Sequence, residues 1–143
     1  MKHIHMRGMS LIELLTVVMI VGVLSALAVS TYTNYTLRAN RTEGTTALLR
    51  IQVAEEKFFL ANNTYTTDFT DPPPTGLGIS ATATTNTGRY TLSIAAGGTG
   101  SIANSYTATA AAAGIQLKDT SCPTYTVTES GTRTPADSTG CWK

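Results

Sequence analysis

Histidine is confined to positions 3 and 5, so every residue beyond Gly8 is free of it. Cysteine is nearly as scarce: Cys122 and Cys141 are the only two, and they form no Cys-x-x-Cys motif. Without imidazole, and without a redox-type thiol pair, the usual nucleophile, base and metal-ligand sets are missing. No glycine-rich phosphate loop follows a strand pattern. Asp68 and Asp71 could be paired carboxylates, but beside Pro72-Pro73-Pro74 they read as solvated turn residues. Catalysis, a bound metal and a cofactor are therefore not expected.

Charge is sparse too, at 13% of residues. Of the ten Lys and Arg, Lys2 and Arg7 precede Gly8, which leaves eight basic residues against nine acidic ones. That balance provides no basic field for nucleic acid or an anionic surface. Beyond Tyr32 the chain is rich in Thr, Ala, Ser, Gly and Asn, the composition of a small secreted β-rich domain with a modest core.

What the chain does have is an apolar run, Leu11 to Val29, whose single charge is Glu13. A carboxylate at membrane depth costs about 2.5 to 3.5 kcal/mol on insertion scales, so a span that keeps one implies a partner for it. The run continues to about Tyr32, roughly 22 residues, enough to cross a ~30 Å hydrocarbon core at 1.5 Å per residue. Tyr32 and Tyr35 follow at interfacial depth. Residues 1–8 are short, polar and basic, and they end in a glycine placed before the apolar run. A secretory signal has its cleavage site after that run, so cutting between Gly8 and Met9 would instead leave the helix on the mature protein. The basic leader stays cytoplasmic by the positive-inside rule, and the remainder lies across or outside the membrane. In an exported chain, Cys122 and Cys141 read as one disulfide closing a loop of about 20 residues.

The helical pattern continues past the span with a changed composition. Arg38, Arg41, Glu43, Arg50, Glu55 and Lys57 alternate with apolar residues, and Ala47, Ile51, Ala54 and Phe58 form one apolar stripe. With no proline or strong turn between Ser10 and Ala61, a single helix of about 50 residues is predicted, ending at Asn62-Asn63. Residues 62–88 form a long connection broken at Asp71-Pro72-Pro73-Pro74-Thr75-Gly76. Alternating patterns at Arg89–Ile94, Ser105–Ala110 and Tyr125–Thr128 predict three strands, the last leading into a turn at Glu129-Ser130-Gly131. The fold class is α+β: a long N-terminal helix whose amphipathic half packs on one face of a small antiparallel sheet. The sequons at Asn34, Asn40 and Asn62 are of a kind common by chance.

The stretch Gly8-Met9-Ser10-Leu11-Ile12-Glu13-Leu14 and the apolar run after it resemble the class III signal and N-terminal helix of type IV pilins. Arg38-Ala39-Asn40-Arg41-Thr42-Glu43-Gly44, the spacing of Gln116, Asp119 and Cys122, and the closing Cys141-Trp142 are similar to the PilE-type minor pilins. The resemblance implies the type IV pilin fold and a division into residues 1–8, a leader; 9–32, the transmembrane and assembly half-helix; 33–61, the amphipathic half; and 62–143, a β-rich head with a helix-sheet loop at 62–88 and a disulfide loop at 122–141. It further implies cleavage between Gly8 and Met9 by a prepilin peptidase, methylation of the new Met9 amine, and a role for Glu13 in recognising a neighbouring N-terminus. Partners would be other pilins in a heteropolymeric filament and the inner-membrane assembly machinery, in the service of adhesion and twitching motility. The protein would span the bacterial inner membrane once, head in the periplasm, and then enter the extracellular pilus. Met9 replaces a common phenylalanine, and Ser30 stands where many pilins carry a proline that would kink the helix.

Two other readings share these features. A type II secretion pseudopilin has the same leader and helix, and a disulfide between Cys122 and Cys141 argues for a pilin over it, whereas bound calcium would argue the reverse. A pilus-tip module binding DNA or another ligand is disfavoured because only Arg89, Lys118, Arg133 and Lys143 are basic after the helix.

Overall fold

The computed structural model describes residues 9–79, 82–135 and 140–142, and for Val29 and Ser30 the backbone alone. The chain forms two compact units that divide between Tyr35 and Thr36. Helix α1 (Leu11–Asn62) contributes to both, and runs through Ser30.

In the first unit the helix is apolar around its circumference, and none of the described residues covers it. An 18-residue window of mean hydropathy 2.5 has no buried residue, and Ile12, Val18, Met19 and Leu27 are each more than 60% exposed. Length and composition suffice to cross a membrane. Hydroxyls in this unit are absorbed locally: Thr16 and Ser25 donate to the carbonyls of Glu13 and Val21 at 2.8 and 2.7 Å.

The second unit packs the rest of α1 on a four-stranded antiparallel sheet. Strands β1 (Tyr90–Ala96), β2 (Tyr106–Ala112), β3 (Thr124–Thr128) and β4 (Arg133–Thr134) lie side by side in chain order. Every second residue faces the helix, as the pleat requires: Tyr90, Leu92 and Ile94, then Tyr106, Ala108 and Ala110, then Tyr125 and Val127 are buried. The register places Leu92 opposite Ala110 and Ala110 opposite Tyr125, so small residues occupy the central strand between larger ones. Gly44 serves the same end on the helix, since a Cβ there would stand 3.1 Å from the Tyr90 ring.

The strand patterns found in the sequence correspond to β1, β2 and β3, and α1 ends where predicted. Asn63 adopts φ 54° and donates to the Phe59 carbonyl at 2.8 Å, the left-handed close for which asparagine is suited. The two-residue β4 and a 3₁₀ turn at Gly114–Lys118 carried no periodic signal because neither is long enough for its period to repeat twice. The apolar stripe is rotated from its predicted position. Its fully buried members are Leu48, Ile51 and Glu55, while Ala47, Ala54 and Phe58 flank it half-buried. Phe58, Phe59 and Tyr65 crowd the far end of the helix, and it is a glutamate, not Ala54, that turns inward there.

Candidate functional site

The assembly-type features lie at the start of α1. Ser10 accepts the Glu13 and Leu14 amides at 3.1 and 3.2 Å through its carbonyl, which places Glu13 in the first helical turn, where a carboxylate complements the helix dipole. Met9 is 72% exposed. No hydrogen bond or ion pair within the described residues reaches the Glu13 carboxylate. Gly8, and with it the expected cleavage junction and basic leader, lies outside the described residues. The start of α1 therefore offers an apolar surface with one carboxylate that has no partner among the described residues, a pattern suited to association with other helices.

The motif residues of the head meet as links between α1 and the sheet. Arg41 donates through Nε and Nη2 to Asp119 at 2.6 and 2.7 Å, a bidentate pair. Asp119 is nearly fully buried, and its hydrogen bonds raise the Arg41 pKa further above its ordinary value, against the opposing effect of burial. Gln116, held by the 3₁₀ turn, donates to Asp119 at 3.1 Å and to the Leu37 carbonyl at 3.0 Å. Residues 78 and 79 positions apart are thus tied at the first buried turn of the helix. Two residues further along α1, Glu43 accepts the Thr87 amide at 3.1 Å, the Thr87 hydroxyl, and Arg89 at 3.2 Å. Burial pushes the Glu43 carboxyl up, but these bonds outweigh it and the net shift is downward.

Cys122 and Cys141 form a disulfide with Cα atoms 5.8 Å apart. Beside it, the Trp142 ring meets Tyr125 edge-on with centroids 5.7 Å apart, and the Arg133 guanidinium lies 5.2 Å over the indole. The sequence reading had the members of this cluster on separate segments; hydrogen-bond chemistry and the disulfide bring them together. It missed Thr87, an unremarkable loop threonine with no pattern to mark it. It also missed the burial of Glu55, which its place four residues after Ile51 could have signalled.

Comparison with known proteins gives the family. The model of the family described as "Type IV minor pilin ComP, DNA uptake sequence receptor" matches residues 30–126. The chain belongs to that type IV minor pilin family. A stretch of this minor pilin is 36% identical over 59 residues to the type IV major pilin protein PilA of Myxococcus xanthus (strain DK1622), covering 41% of the chain and 27% of PilA. It thus spans well under half the length of that relative. The solved structure of a type IV pilin from Shewanella oneidensis superposes with a TM-score of 0.54 at 19% identity, covering 75% of this chain and 98% of that one, which establishes the shared fold. The family is one of type IV minor pilins, and the apolar N-terminal helix of this chain is consistent with membrane anchoring.

Proposed function

We propose that this minor pilin is cut between Gly8 and Met9 by a prepilin peptidase, methylated on Met9, and held in the inner membrane by residues 9–32 with its head outside the cytoplasm. From there it joins other pilins in a filament that serves adhesion and twitching motility. Residues 33–61 then serve as the packed half-helix and 62–143 as the head. The observation that carries this reading is the apolar helix of the first unit, uncovered among the described residues, with Glu13 the one charge in its first turn. In lipid, apolar helices gain little by meeting each other, so packing detail and polar pairing must supply specificity. A carboxylate and a new amino terminus in hydrocarbon each need the other, and pairing across subunits sets the axial stagger of adjacent helices.

Mass spectrometry of sheared filaments tests the proposal. The wild-type chain should be present and should begin at methylated Met9. Glu13→Ala should still be cleaved yet fall about tenfold or more in filament abundance, given the size of an uncompensated charge in hydrocarbon. Normal incorporation with unchanged cleavage would remove the assembly role from Glu13.

The family description supports a second reading, reception of DNA by the head. The charge inventory opposes it. Among the described residues past α1, Arg89 is bound to Glu43, Arg133 lies over Trp142, and Lys118 stands beside Asp119 in sequence. Retention of duplex DNA by the full chain at low salt, lost steeply as salt rises, would establish the second reading; no retention at low salt rejects it.

A further inference from the structure

The far end of α1 buries a carboxyl group that assembly does not use. Glu55 has no exposed surface. Its Oε2 accepts the Thr66 amide at 3.2 Å, and its Oε1 has no hydrogen-bond partner among the described residues. The surroundings are aromatic and acidic. Tyr65, from the segment after the helix, stacks on Phe59 with centroids 4.6 Å apart and meets Tyr106 of β2 edge-on at 4.9 Å. The Tyr106 hydroxyl and Glu129 Oε2, the latter from the turn after β3, are also buried without a partner. Glu56, next to Glu55 on α1, and Glu129 both act on the two tyrosines, and Glu56 acts on Glu55 itself. Among the described residues, the charged side chains that act most on this cluster, Glu55, Glu56 and Glu129, are all acidic.

A neutral carboxyl suits such a place and an ionised one does not. One amide hydrogen bond is little compensation for a carboxylate among tyrosine rings and other acids. Turning outward to water relieves the charge but breaks the bond to Thr66. We propose that Glu55 is a proton-controlled latch between α1 and the segment 63–70, closed when its carboxyl is neutral and released when it ionises. Burial, with repulsion from Glu56 and against the Thr66 bond, raises the Glu55 pKa from an ordinary 4.5 to about 7. The folded chain therefore holds this proton to higher pH than the unfolded chain does. The associated stability is full below about pH 4.5 and is lost as pH rises to about 7. The switch falls near neutrality, so the segment is held in mildly acidic surroundings and loosened in alkaline ones.

Hydrogen exchange on the full chain in detergent micelles, at about pH 5.5 and about pH 8.5 and corrected for intrinsic rates, tests the latch. Protection of the 63–70 amides should fall about tenfold or more at the higher pH while β2 and β3 keep theirs. Glu55→Gln should hold the protection of the lower pH at both. Glu56→Gln, which removes the like charge, should move the midpoint of the loss to lower pH. Unchanged wild-type protection across this range would overturn the proposal, as would a Glu55→Gln chain that still opens. Should Glu55→Gln fail to fold, the shift with Glu56→Gln decides, because a purely structural role for Glu55 gives no midpoint to move.

Discussion

Replacing Asp119 with alanine should destabilise the head by about 3 kcal/mol or more, an effect on the order of breaking a buried ion pair by removing one partner. Asp119 is 4% exposed and receives both forks of Arg41, so its loss strands a half-buried guanidinium and takes one acceptor from Gln116. For a domain of this size the melting temperature should fall by roughly 12 to 20 °C. Asp119→Asn, which keeps the shape and one acceptor oxygen, should cost less, about 1 to 2 kcal/mol. Thermal melts of the full chain in detergent measure both. A drop under about 3 °C for Asp119→Ala would show that the pair is spanned by water or replaced by other contacts, and that the Arg41 link does not hold the helix to the sheet. Arg41→Ala and Asp119→Ala should be non-additive, since each breaks the same pair.

Opening the disulfide should have an effect of similar size by a different route. Cys122 and Cys141 are 19 positions apart, and a loop of that length corresponds to about 3 kcal/mol in the chain-entropy account. The loop holds β3 and β4, and its closing cysteine is adjacent to Trp142, the only tryptophan of the chain. A Cys122→Ser, Cys141→Ser double variant should therefore unfold at lower denaturant with a matching loss of stability. Its indole emission should change before the far-ultraviolet signal does, because Trp142 loses its tether while β1 and β2 remain paired. Coincident transitions with an unshifted midpoint would mean that Tyr125 and Arg133 hold the C-terminal segment without the covalent bond.

These two variants act on tertiary links, and such links are the part of the molecule least legible in sequence. The apolar run and its one charge were legible because a membrane span imposes a length and a polarity that few other uses require. The helix terminus at Asn63 and the strands at Tyr90, Tyr106 and Tyr125 were legible because local conformation and period-two alternation leave marks on neighbouring residues. The helix face was legible only to within a rotation. Ala47, Ile51, Ala54 and Phe58 gave the period, but Leu48 and Glu55 lie at the centre, and a glutamate is not counted as apolar by any pattern.

The sequence by itself thus determined that this minor pilin has an apolar helical run with Glu13 near its start, a helix continuing beyond it, and a small sheet of alternating strands. Each of these follows from spacing along the chain, where one residue constrains the next. Only the tertiary structure decided that Arg41 and Gln116 both meet Asp119, that Glu43 binds Thr87 and Arg89, and that Glu55 is shut among Tyr65 and Tyr106. Those partners are up to 78 positions apart, and what joins them is the need to pair polar groups once the helix has covered the sheet.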